Sequence, residues 1–218
     1  MNCYVVLEGT ADKKIYSSWI GLINSALTIV HYPGDAVTNN IYLLSGRGYP
    51  EYFDMIKRGV ADLIEFPQYD FLIIAGDSES LTRSEMYNEI NDFVSALTPT
   101  RPFKIIVQHF CIETWALGNR ALVRKKPSDK LLRQYINDYN VHIHDPEQLP
   151  ERKAEGLNRA KHALKYLEML VEDAYHGKRY MKSNPYVVQH PKFFFAVQKR
   201  FQDTLHIRSF EDFINAFT

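Results

Sequence analysis

Two cysteines in 218 residues are too few for a disulfide framework. Cys3 and Cys111 both sit inside apolar runs, which predicts buried thiols in a reducing compartment, the cytoplasm by default. No stretch approaches the roughly 20 apolar residues that cross a bilayer, so no membrane partner is expected. The opening MNCYVVLEG has no basic segment, and its apolar run stops at Glu8, so it is not expected to act as a secretory signal. Internal repeats, low-complexity tracts and a Walker-type phosphate loop are all missing, which excludes solenoids and an ATPase within this chain. Net charge is missing too, with 26 basic against 26 acidic residues. What the chain does have is 45% hydrophobic and 13% aromatic residues, a composition that builds a core and excludes disordered, collagen-like and coiled-coil classes.

The zero net charge hides an asymmetry. Residues 1–100 carry 13 acids and 6 bases, the rest 13 acids and 20 bases, so the parts stand at −7 and +7. An acidic part suits cations and a basic part suits anions, although charge also drifts along any chain. Apolar, β-branched runs at 3–7, 71–75 and 103–110 predict buried strands, with strand-like segments at 27–32 and 41–45. Helical spacing follows most of them. Ile15, Trp19, Leu22, Ile23 and Ala26 share one face, with Thr10 as expected N-cap, Tyr52, Phe53, Ile56, Val60, Leu63 and Ile64 share another, and residues 82–97 form a third helix. The alternation predicts a Rossmann-like α/β fold with a mostly parallel sheet. Beyond residue 110 the segments IETWALGNRALV, SDKLLRQYINDY, GLNRAKHALKYLEMLVEDAYHG, HPKFFFAVQKRF and FEDFINAF are all helical in pattern.

Sites in open parallel sheets form outside the carboxyl ends of the strands. Here Glu8 ends the first strand, and Asp77 with Glu79 ends the apolar run at 71–75. Three carboxylates converging there would bind a hard cation, Mg²⁺ or Mn²⁺. The plainer alternative is that Glu8 and Asp77 only favour the helix N-termini that follow.

These residues resemble the Toprim domain of topoisomerases, primases and OLD-type nucleases. In that family a Glu follows the first strand and a DxD follows a later one, together holding magnesium for phosphodiester chemistry. EGTAD (Glu8 to Asp12) matches the first motif, with Asp12 in place of the primase-like EGxxD aspartate, and Asp77-Ser78-Glu79 matches the second as DxE. The segment HFCIETWALGN (109–119) is similar to the strand-then-FExWLL segment of RloB-like proteins from bacterial restriction and abortive-infection loci, which makes Glu113 a further acidic site residue. Alone, Glu113 is as readily a helix N-terminal acid, with Trp115 and Leu117 in the core. The resemblance implies a Toprim-like α/β domain over 1–125 and a helical C-terminal extension, 126–218, packed on it.

The resemblance further implies a Mg²⁺-dependent nuclease in which Glu8, Asp77 and Glu79, joined by Glu113, act at the scissile phosphate, and Glu8 is alternatively the general base. It also implies an ATPase partner encoded separately and a role in anti-phage defence. Nucleic acid would be held by basic residues of the second half: Arg120, Arg124, Lys125, Lys126, Arg133, Lys161, Lys178, Arg179, Lys182, Lys192, Lys199 and Arg200. Among these Lys178, Arg179, Lys182 and Lys192 interleave with aromatics in HGKRYMKSNPYVVQHPKFFF, a pattern suited to unpaired bases. A solvated basic face with Phe193–Phe195 in the core is the alternative. Lys182 or Lys192 is also placed to neutralise a phosphate in the transition state. His142 and His144 alternate beside Asp145 without a third zinc ligand at standard spacing, which favours a loop or edge strand. Gly46-Arg47-Gly48 is too short for a dinucleotide fingerprint. Competing functions are a catalytically silent Toprim-like module that binds protein or nucleic acid, a haloacid-dehalogenase-like phosphatase, against which stands a first strand ending in Glu, and a Rossmann-like small-molecule binder.

Overall fold

The structure, a computed structural model, describes residues 1–46, 48 and 51–218; Arg47 of the Gly46-Arg47-Gly48 segment lies outside the described residues. Five strands alternate with helices in the order β1 (Cys3–Leu7), α1 (Thr10–Ile23), β2 (Thr28–Val30), β3 (Asn40–Ser45), α2 (Tyr52–Glu65), β4 (Phe71–Asp77), α3 (Arg83–Ala96) and β5 (Phe103–Gln108). Helices α4 (Ile112–Ala116), α5 (Lys130–Asp138), α6 (Arg159–Ala174), α7 (Tyr186–Gln189), α8 (Pro191–Thr204) and α9 (Phe210–Phe217) complete the chain. The strands form one parallel sheet in the order β2-β3-β1-β4-β5. The fold is therefore the Rossmann-like α/β sheet with C-terminal helices that the pattern predicts. Among the described residues no helix is long and apolar enough to cross a membrane.

Packing divides the chain into two compact units, Met1–Gly76 with Arg83–Val107 and Asp212–Thr218, and Asp77–Thr82 with Gln108–Glu211. In the first unit β1 lies between β3 and β4, with Val5 opposite both Leu43 and Ile73. Alternate residues serve opposite faces of the sheet. Tyr4, Val6, Leu72, Ile74, Ile105 and Val107 form one core with Ile56, Val60 and Leu63 of α2 and Ile90 and Val94 of α3. Tyr16 and Trp19 of α1 meet Phe213 edge to face in a second aromatic cluster. The N-cap of α1 is Gly9, not Thr10, and the Asp12 carboxylate accepts the Gly9 N–H at 2.9 Å.

In the second unit the segment after β5 departs from its expected long helix. Helix α4 ends at Ala116, and a 3₁₀ turn at Arg120–Leu122 follows, its Ala121 N–H met by the Asn119 side chain. The exit tightens through Gly118 N–H to Trp115 O and Asn119 N–H to Ala116 O, and only glycine fits at 118, since a Cβ there would lie 2.8 Å from Trp115 O and 2.9 Å from Ile207 Cδ1. His142 and His144 lie in a turn-rich loop, not a strand. That loop is clamped by Arg200, which is buried and donates to the carbonyls of Val141, His142 and His144. Burial lowers its pKa to about 10, which leaves it charged at neutral pH. Arg200 is thus an internal clamp and not a nucleic-acid contact. Phe193 and Phe194 enter the core, while Phe195 is 49% exposed.

A separate aromatic cluster carries a titrating group. His162 is buried, stacked on Tyr166 and edge-on to Tyr135, with Nδ1 hydrogen bonded to Pro150 O and Nε2 buried without a hydrogen-bond partner among the described residues. Burial lowers its pKa from 6.5.

Two stability outcomes are expected. At Gly59 a Cβ would stand 2.7 Å from Val6 Cγ2 and 3.3 Å from Tyr4 Cε1, so Gly59→Val should lower unfolding free energy by about 1–3 kcal/mol in urea melts. The depressed folded pKa of His162 means that unfolding takes up a proton below about pH 6.5, so the neutral ring's contribution is complete above that pH and is lost as pH falls through it. Thermal melts between about pH 7.5 and 5.5 should therefore show a steeper drop for wild type than for His162→Phe.

Candidate active site

The site is best followed outward from the end of β4. Asp77 is the last residue of that strand and is buried. Beyond it the chain stays tied to the segment after β5, because the Ser78 N–H donates to Gln108 O at 3.1 Å and the Glu79 N–H to Phe110 O at 2.9 Å. Ser78 Oγ and His109 Nδ1 are hydrogen bonded at 2.7 Å. Glu79 takes a left-handed backbone conformation, φ 52°, and its carboxylate accepts from Asn158 Nδ2 at 3.0 Å. Asn158 also caps α6 by accepting the Lys161 N–H. The predicted DxE pair therefore has two different settings, Asp77 at the strand end and Glu79 turned to the cap of α6.

The second arm is Cys111 to Trp115. The Phe110 N–H donates to Thr114 Oγ1, and the Thr114 N–H donates to the Cys111 carbonyl, which fixes the tight entry into α4. On this short helix Glu113 is wholly buried. Its Oε1 accepts from Tyr180 Oη at 2.7 Å. Its Oε2 accepts no hydrogen bond among the described residues and has the Lys182 ammonium 3.7 Å away. Lys182 is itself 51% exposed, so the buried carboxylate reaches solvent through its cation. Burial, followed by the charges of Glu113 and Asp77, raises the Cys111 thiol pKa well above its ordinary value. Trp115 is core: its indole N–H donates to Ser209 Oγ at 2.7 Å, and its ring meets Phe210 edge to face.

Glu8 belongs to the first unit, where it immediately follows β1 and is buried. Its carbonyl accepts the Gly48 N–H at 3.1 Å. The register Leu7 opposite Ala75 places β1 and β4 side by side, and these are the two strands at which the chain changes its direction of winding through the sheet. Tyr180 is the residue that the sequence does not reveal, since it lies outside any periodic segment.

The predicted basic residues divide by partner. Arg179 pairs with Glu172, Lys199 with Asp203 and Lys182 with Glu113. Arg124, Lys125 and Arg133 line a cavity of about 440 Å³, and Lys178 and Lys192 line another of similar volume.

Among the described residues no three His, Cys, Asp or Glu side chains gather to hold a metal ion. Mg²⁺ does not need such a cage, because it commonly binds one or two carboxylates and keeps several waters. Asp77 and Glu113 are hard oxygen donors of that kind, and Glu113 Oε2, buried with no hydrogen-bond donor, is an oxygen suited to a cation. Comparisons with known proteins find no matching family model, curated protein or solved structure.

The Tyr180–Glu113 bond yields a direct test. Tyr180→Phe should destabilise the protein by about 1.5–3 kcal/mol in denaturant melts, since it strips the charged acceptor of its hydrogen bond. Adding Glu113→Gln to that variant should cost less than the two single changes summed, because the pair acts as a unit.

Proposed function

We propose that the protein is a Mg²⁺-dependent, Toprim-type nuclease that hydrolyses phosphodiester bonds in nucleic acid. The observation that carries this reading is the Glu113 carboxylate, wholly buried, held at one oxygen by Tyr180 and facing the half-exposed Lys182 with the other. Asp77 and Glu113 would hold the ion, with Glu79 as a further acid of the same unit. Bound there, Mg²⁺ supplies Lewis-acid polarisation of a phosphoryl oxygen. The chain's own groups do the rest. Tyr180 fixes the carboxylate orientation, and Lys182 is placed to neutralise a non-bridging phosphate oxygen as charge develops. The +7 balance of residues 101–218 favours a polyanion as partner. Two free, buried cysteines suit the cytoplasm. The family resemblance adds a separately encoded ATPase partner and a defence role to the same proposal.

The test is cleavage of labelled single- and double-stranded DNA and RNA, with and without millimolar Mg²⁺ or Mn²⁺, alongside thermal melts of the same samples. Wild type should cleave only with metal and melt higher with it, the shift following RT ln(1 + [L]/Kd). Asp77→Asn and Glu113→Gln should lose both effects, and Lys182→Ala should lose rate with the metal shift retained. Persistent cleavage by Asp77→Asn would overturn the assignment, and a metal shift without cleavage of any substrate would favour the silent binding module.

A further inference from the structure

The second unit holds a cavity of about 440 Å³, within the roughly 300–1,000 Å³ range of small-ligand sites. Its walls combine two kinds of side chain. Tyr175, Tyr186 and Phe193 supply aromatic surface, and Lys178, Lys192 and His190 supply nitrogen. None of the described residues lining it is acidic. Three other cations of the same unit are compensated: Arg179 has Glu172, Arg152 has Asp138 and Glu155, and Lys182 has Glu113. The Lys178 ammonium instead stands 5.7 Å from the centroid of the Tyr186 ring. Tyr175 and Tyr186 remain 40% and 39% exposed beside it.

Uncompensated ammonium groups attract an anion, and half-exposed aromatic faces attract a flat ring. A bare anion makes no use of the rings, and an apolar molecule makes no use of the lysines. A duplex keeps its base faces stacked inside. The ligand that uses both is a nucleotide with its base unpaired. We propose that this cavity binds an unpaired nucleotide, its base against Tyr186 and its neighbours and its phosphate on Lys178 and Lys192. The proposal rests on the nucleic-acid reading above for the polymer concerned, while the cavity contains none of the carboxylates assigned to hydrolysis. A free nucleoside monophosphate shares the chemistry and is the other source of it.

The test uses the whole 218-residue chain in EDTA, so that binding is read without cleavage. Fluorescence anisotropy would follow a labelled pyrimidine 12-mer as single strand, in DNA and RNA, and as duplex, with UMP and poly-glutamate as competitors. The single strand should bind more tightly than the duplex, and UMP should displace it while poly-glutamate does so poorly. Tyr186→Ala should weaken binding about tenfold with its salt dependence unchanged, and Tyr186→Phe should restore it. Lys178→Gln and Lys192→Gln should each lower the log–log salt slope by about 0.7. UMP binding that depends on the same residues, without strand binding, supports the site and identifies its source as free nucleotide. Equal duplex binding, equal displacement by poly-glutamate, or folded variants that bind like wild type would overturn it. Because Asp77→Asn retains the cavity, loss of the hydrolase assignment leaves these binding results standing, and their failure leaves cleavage to be judged by its own variants.

Discussion

Strands β1 and β4 are covered on both faces, and that burial governs where charge can appear. Cys3–Leu7 is buried throughout, and Leu72–Ala75 likewise. A carboxylate within either strand would enter an apolar layer with no compensating partner, at a free-energy cost of several kcal/mol, a large share of the margin by which a domain is stable. The first acids are therefore met only where each strand stops, at Glu8 and Asp77. The same exclusion leaves Asp70 just before β4, where it accepts the Asn2 N–H; Glu8 and Asp77 differ in standing at carboxyl ends, the end at which sites form in open parallel sheets.

That exclusion explains why the sheet is legible in the sequence. Continuous apolar runs ending in EG and GD reveal both a two-sided strand and its exit, and β1, β4 and β5 follow the runs closely. β2 is the weakest case. Residues 27–32 form a strand only over Thr28–Val30, at the edge of the sheet, where one neighbour and partial exposure leave little to distinguish strand from turn. The C-terminal helices are legible by spacing, but the short α4 is not, because the packing that admits only glycine at 118, against Trp115 and Ile207, exists only in the folded chain.

Side-chain roles in the second half are harder to read, and Arg200 shows why. As a charge it belongs with the basic residues. As a position it follows Phe193 and Val197 on one helical face, all three buried, and that i, i+4, i+7 spacing is the available signal for an internal clamp. Its fork matches the converging carbonyls of Val141, His142 and His144, a geometry that a lysine would not reproduce. Tyr180 lacks any such signal. It lies between α6 and α7, and only the folded chain brings its hydroxyl to Glu113.

Glu113 is where the energetics point away from a structural role. A carboxylate with no exposed surface loses hydration worth several kcal/mol, and one hydrogen bond with a cation at 3.7 Å recovers part of that. Packing apolar groups of equal volume is often neutral or better for stability. Helix α4 has no need of the acid either: it is five residues long, and Glu113 turns its carboxylate to Tyr180 and Lys182. Glu113 Oε2, buried with no hydrogen-bond donor among the described residues, is the oxygen to which the proposed function assigns an ion.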